Sequence, residues 1–307
     1  MFAYLVRRCI LSLLVLLGAA VVTFLILHLA PGDPAVLMMG DVGASPEQLR
    51  ALREQLGLND SLLTQLGRFL WRSAQLDFGY SFYSRQPVAT ELARQLPATA
   101  ELALAAFGLA VAMGVPLGVV AALWRGRWLD SLATGGAVVG ISMPSFWLGL
   151  LLIFVFAVHL GWFPVTGQGG LDRLVLPALA LAVGPGALIA RLVRSSVLDV
   201  LRKEYVRVAH AKGLPPASVL IRHVLRNSLI PVVTIAGLQL GAMLSGAVVI
   251  ETVFARQGVG RLAVTAILAK DFPLVQGVVF FAAVVYVSIN TLVDVLYALL
   301  NPAIRLR

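Results

Sequence analysis

Apolar runs alternate with short polar stretches along this chain. Residues 10–29 contain no Asp, Glu, Lys or Arg, and a hydrocarbon core of ~30 Å needs about 20 helical residues. Further apolar runs lie at 102–123, 132–160, 174–190, 229–250 and 272–300. The pattern predicts six transmembrane helices and an all-α integral membrane protein. The first run exceeds the about 7–15 apolar residues of a secretory signal, so it is read as a retained span. The run at 132–160 is too short for two spans and a turn. A single helix, tilted or bent at Pro144, is expected there.

Composition supports this reading. Hydrophobic residues make up 59% of the 307 positions and charged residues 13%, against about 25% charged in soluble domains. Mean hydropathy is +0.91. The net charge of +9 does not point to nucleic acid, because the basic residues sit at the ends of apolar runs. Cys9 is the sole cysteine; it excludes a disulfide framework or thiolate cluster and reads as a packing residue.

Charge also orients the spans. With the N-terminus inside, the inner segments collect Arg7, Arg8, Arg125, Arg127, eight basic residues between 191 and 226, Arg305 and Arg307. Against them stand Asp130, Asp199 and Glu204, while the outer segments balance ten basic with ten acidic residues. Both termini are therefore expected on the cytoplasmic side of the membrane. Splitting the third run would place the most basic loop outside.

The expected organisation has four parts. Residues 1–30 form an N-terminal tip and first span, and 31–97 a small extracytoplasmic insert. Residues 95–300 form the transmembrane core with a cytoplasmic loop at 204–227, and 301–307 a cytoplasmic tail. The insert opens on Pro31-Gly32-Asp33-Pro34, which stops a helix. Ser45-Pro46-Glu47 reads as a helix start with Leu49, Leu52 and Leu56 as its apolar stripe, and 62–76 as a second amphipathic helix. The insert reads equally as a structural lid or as a contact for a delivery protein.

Catalytic motifs are lacking. A Walker A loop needs Gly-Lys before Ser or Thr, and Lys203, Lys212 and Lys270 follow Arg202, Ala211 and Ala269. There is no H-E-x-x-H or G-x-S-x-G. His28 and His159 fall at span ends, where a polar tip reaching the interface is the plain reading. No enzyme activity, cofactor or metal is expected of this chain.

The loop at 204–231 stands apart. Val197, Leu198, Leu201, Tyr205 and Val208 recur at helical spacing, Gly213 falls where that helix would end, and Leu214-Pro215-Pro216 turns the chain. A second helix restarts at 217–228. By physics alone this is a cytoplasmic hairpin that could rest on anionic lipid or receive a protein partner.

The residues Glu204-Tyr205-Val206-Arg207-Val208-Ala209-His210-Ala211-Lys212-Gly213-Leu214, then Arg222-His223-Val224-Leu225-Arg226-Asn227 and Ile230-Pro231, resemble the coupling loop of a known family. It is that of the permease subunits of bacterial dipeptide, oligopeptide, glutathione and nickel ABC importers. His210 stands where that family usually has Arg. Further resemblances run along the chain, at Pro31–Pro34, Leu56–Leu58, Asp77–Ser81, Leu96–Leu102, Glu251–Phe254, Gly258–Leu262, Asp271–Gln276, Asn290–Tyr297 and Asn301–Arg305. Gln257-Gly258 replaces a common Pro-Gly.

This resemblance implies a type I ABC importer transmembrane fold. It implies that Glu204, Tyr205, Arg207, Ala209, Lys212, Gly213, Arg222, His223 and Arg226 dock on separate ATPase subunits, which would hold ATP and Mg. The implied partners are a homologous second permease subunit, two ATPases, an extracytoplasmic binding protein and membrane lipid. The implied cargo is short peptides, with nickel or a metal chelate as the alternative.

Within the spans, Ser142, Ser145, Gln239, Ser245, Asn290 and Asp294 are candidate pathway or structural polar residues. Asp294, near the cytoplasmic end, reads better as a structural tie. Gly114/Gly118, Gly136/Gly140 and Gly237/Gly241 are small-residue packing faces. An autonomous secondary transporter or channel stays open as a different class, although no internal repeat is apparent.

Overall fold

The computed structural model describes residues 2–29, 35–36 and 45–300. The turn at 31–34 and the C-terminal motif at 301–305 lie outside them. The first apolar run forms one helix, α1 (Phe2–Leu29). Its exposed Leu13, Leu14, Val15 and Leu17 form a wall with no polar group, as a lipid-facing span requires.

The insert starts as its sequence predicts. In α2 (Pro46–Leu56) the Ser45 hydroxyl accepts from Gln48 N–H, and Ser45 N–H donates to Gln48 Oε1. Pro46 occupies the first turn, where its missing N–H leaves no bond unmade. The helix ends at Gly57 with φ 65°, and α3 (Leu62–Ala74) is capped by Ser61. The side chains of Leu52 and Leu56 lie outside the described residues.

The next helix, α4 (Val88–Leu123), contains both Pro97 and Pro116. The helix that carries the second apolar run therefore begins at Val88. Proline is tolerated inside membrane helices because neighbouring groups satisfy the backbone it leaves bare.

The third apolar run departs from a single bent helix. It forms α5 (Trp128–Ser142) and α6 (Ser145–Leu152), the latter running on as a wide π-helical stretch, Ile153–His159. The two legs meet at 104°. Met143 (φ −81°, ψ 120°) and Pro144 (φ −61°, ψ 134°) are both extended. Proline excludes its predecessor from helical geometry and supplies no N–H. Each leg falls short of the about 20 residues a crossing needs, so only the pair can make one.

The remaining helices are α7 (Asp172–Leu201), α8 (Glu204–Ala211), α9 (Arg226–Gly246), α10 (Val248–Val253), α11 (Val259–Leu268) and α12 (Phe272–Leu300). Between α8 and α9 lie Pro216–Ser218 and a second π-helical stretch, Val219–Leu225. Among the described residues five helices are long and apolar enough to cross a membrane, or six with the bent pair.

The core is the contact of α4 with α7. Ala103, Ala106 and Ala110 are buried against a cluster including Ile189, Val193 and Val197. A Cβ on Gly114 would stand 2.5 Å from the Gly186 carbonyl oxygen, and one on Gly118 would stand 2.5 Å from that of Ala190. In lipid, helices gain little from the hydrophobic effect and associate through such close approach. Gly237 faces Val293, and a Cβ on Gly241 would lie 3.4 Å from Tyr286, which joins α9 to α12. The third small-residue face is half used: Gly140 meets Val183, while nothing lies within 4 Å of a Cβ on Gly136.

Candidate functional site

The segment from α8 to α9 has two unlike sides. Val206, Ala209, Val219 and Val224 point inward and join the main core. This ties the loop to the spans on either side of it. Ala209 is 6% exposed, so its small size serves packing within the chain. Outward lie Glu204, Tyr205, Arg207, Val208, Lys212, Leu214, Ile221, Arg222 and Arg226. Arg207, Lys212, Arg222 and Arg226 make no ion pair among the described residues.

The local geometry follows from sequence. Gly213 takes φ 77°, its N–H donating to the His210 carbonyl at 2.9 Å, and Leu214 N–H donates to Ala209 at 3.3 Å. This is the left-handed ending glycine adopts without strain. No atom lies within 4 Å of a Cβ on Gly213, which leaves that corner open to a partner. His210 Nδ1 donates to the Val206 carbonyl at 2.9 Å. Asn227 donates to Tyr205 Oη at 3.2 Å and to the His223 carbonyl at 2.8 Å, fastening α8 to the start of α9. The restart expected at 217–228 is a π-helical stretch that passes into α9 without a break.

The intramembrane candidates separate. Ser142 is exposed and Ser145 half-buried, and they flank the break between α5 and α6. Gln239 is half-buried on α9, and the side chain of Ser245 lies outside the described residues. Asp294 forms an ion pair with Arg8 of α1, beside a 2.9 Å hydrogen bond between Ser12 and Thr291. Asp294 thus acts as a tie between the first and last spans. The buried Asn290 Oδ1 has no hydrogen-bond partner.

Sequence reasoning missed four long-range polar contacts. Asp130 accepts from Arg194 Nε at 2.6 Å, from Arg194 Nη2 at 2.8 Å and from Gly126 N–H at 3.0 Å. At the other end of the spans Glu251 accepts from Thr99 Oγ1 at 2.6 Å and Arg261 N–H at 3.0 Å, while Val259 N–H donates to Thr99 at 2.8 Å. Asp271 accepts from Ser81 Oγ at 2.5 Å and Tyr83 N–H at 3.1 Å. Arg256, 1% exposed, donates to Glu101 at 2.9 Å. Ser81, Thr99, Glu101, Glu251 and Asp271 lie in stretches that resemble the permease family, but their pairing, across up to 190 positions, has no local sign. On the insert, the Arg72 guanidinium and then Gly79 N–H hold the Asp77 carboxyl below its ordinary range.

A helical membrane unit with this loop defines a class, and solved structures share its fold. The chain is similar in fold to the inward-facing MetNI methionine ABC transporter over 68% of this chain and 96% of that chain, with TM-score 0.57 and 18% identity. It also matches an amino acid ABC transporter crystallised with histidines, with TM-score 0.52 and 14% identity, over 68% and 93%. The fold is that of a type I ABC importer permease.

The family is narrower. The family described as "Binding-protein-dependent transport system inner membrane component" matches residues 114–306, and its companion "Binding-prot-dependent transport system membrane comp, N-term" matches 1–103. The chain belongs to this family of binding-protein-dependent permease subunits. It is 43% identical over 313 residues to a peptide transport system permease protein of Brucella abortus (strain 2308), covering 99% of both chains. It is 42% identical over 305 residues to the glutathione transport system permease protein GsiC of Escherichia coli (strain K12), again covering 99% of both.

Proposed function

We propose that this chain forms half of an import pathway for short peptides of about glutathione size, delivered by an extracytoplasmic binding protein. The substrate reading rests on the names of the full-length peptide and glutathione permease relatives. A homologous permease subunit supplies the other half. Two separate ATPase subunits bind ATP and Mg and dock on residues 204–227. Their closure pushes the loop and rocks the spans between inward- and outward-facing states. With the bent pair taken as one span, the charge bias of the loops supports cytoplasmic termini and an outer insert.

One observation carries the coupling role: the loop's outer side is basic and apolar, while its inner side is built into the core that α4 and α7 share. Force applied outside therefore reaches the spans through packed residues. Arg207, Lys212 and Arg222 pair with acids or carbonyls of the ATPase, and Tyr205 and Val208 fill its groove. Within the membrane, Ser142, Ser145 and Gln239 line the route.

Co-expression with the neighbouring subunits tests this. The complex should retain an ATPase and import labelled peptide, and deletion of residues 209–214 should abolish both. Transport that survives the deletion, with no ATPase retained, would overturn the proposal.

A further inference from the structure

Between α4 and α5 the chain reads Trp124-Arg125-Gly126-Arg127-Trp128. α4 ends at Leu123 and α5 begins at Trp128. Both belong to apolar stretches that cross the membrane, α5 as the first leg of the bent pair. The turn that joins them therefore lies at a membrane face. Asp130 meets Arg194, near the end of α7 at Leu201, so this is the face that also carries α8.

The turn is braced from within. Arg127 N–H donates to the Trp124 carbonyl at 3.0 Å. Gly126, with φ 76°, donates its N–H to Asp130 at 3.0 Å. The nearly buried Asp130 carboxylate is spent on this bond, on Thr134 and on Arg194. Arg125 and Arg127 are exposed and make no ion pair among the described residues. Two positive charges, two residues apart, thus stand unmatched at the membrane face.

Apolar surface adjoins them on both helices. Trp128 is 71% exposed and heads a stripe with Leu132, Gly135 and Val139, all exposed and uncharged, at the spacing of one helix face. On α4 exposed Trp124 stands two turns beyond exposed Leu117. Moving outward along either helix, aliphatic residues come first, then a tryptophan, then an arginine. Acyl chains, the headgroup boundary and phosphates follow in the same order.

We propose that residues 124–128 bind the headgroup of an anionic phospholipid. Arg125 and Arg127 hold its phosphate, Trp124 and Trp128 sit at the boundary, and the stripe at 128, 132, 135 and 139 meets its acyl chains. Lipid is the occupant because the charges cap an exposed, uncharged face of a membrane-crossing helix. No acid offsets them, so a net-negative headgroup is favoured over a zwitterionic one by about fivefold per arginine. The importer reading enters only in making this the cytoplasmic leaflet.

Native mass spectrometry of the assembled importer, delipidated and then titrated with phosphatidylglycerol or phosphatidylethanolamine, tests the site. The unaltered complex should retain phosphatidylglycerol in preference. Arg125→Gln/Arg127→Gln should remove one molecule of the retained set, its affinity falling about twentyfold. Arg125→Lys/Arg127→Lys, which keeps the charge, should retain it, as should Arg7→Gln, which removes an exposed cation of α1. Every replaced side chain is exposed, so the complex should assemble. An unchanged set in the glutamine pair, equal loss in the lysine pair or in Arg7→Gln, or release of the lipid by inorganic phosphate would each overturn the proposal. Retention of ATPase in the same spectra reads the importer assignment separately.

Discussion

Arg194 of α7 grips Asp130 of α5 with two hydrogen bonds, 2.6 and 2.8 Å long, across 64 positions of sequence. Asp130 is nearly buried, and its remaining capacity goes to Gly126 N–H and Thr134 Oγ1. Removing one partner strands a charge. Arg194→Ala is expected to lower stability by about 3–5 kcal/mol, read as a fall in thermal unfolding midpoint in detergent. The double variant Asp130→Asn/Arg194→Gln should cost less than the sum of the two single changes, since the pair acts as a unit.

Glycines that look alike in sequence should differ sharply. Gly118→Ala drives a Cβ to 2.5 Å from the Ala190 carbonyl and should cost about 1–3 kcal/mol as overpacking. Gly136→Ala enters open space and should change stability by less than about 0.5 kcal/mol in either direction. Thermal unfolding of the two variants side by side checks this.

Gly213 holds φ 77° in the loop. A β-branched side chain there costs about 1–2 kcal/mol. Gly213→Val should therefore weaken ATPase retention and peptide-stimulated hydrolysis, while Gly213→Asn, tolerant of that conformation, keeps both. Equal loss in the two variants would point to a need for empty space at this corner and not to backbone strain.

The Arg72–Asp77 tether should respond to acid. The folded carboxyl titrates below its unfolded value of 3.8, so the tether contributes fully above that value. Its contribution is lost as pH falls through the lower, folded value. The pair is half exposed, so the change in global stability is slight. Amide exchange at Gly79, whose N–H donates to Asp77 at 3.0 Å, should accelerate in that acid window.

How much of this was legible beforehand depended on range. Uninterrupted apolar length marked α1, α7 and α12, and Ser45-Pro46 and Gly213 marked helix ends, because each of these is settled within one or two turns of chain. Pro144 announced a disturbance but not its size: a proline fixes its own φ and its predecessor's region, while the 104° angle also depends on what the two legs pack against. The helix, glycine turn and helix at 204–228 were readable from their residues, yet the inward packing of Ala209 was not, since only the fold shows which side of α8 is covered. Thr99 fell in a stretch resembling the family and Arg256 in none, and neither showed its partner. Their significance lies in Glu251 and Glu101, 152 and 155 positions away.

The joining of α1 to α12 sets an order of biosynthesis. The Ser12–Thr291 bond spans 279 positions, and the Arg8–Asp294 pair closes beside it. α1 is made long before α12 and must wait in the bilayer for it. Until then Arg8 lacks Asp294, and α1 is held through its contact with α3.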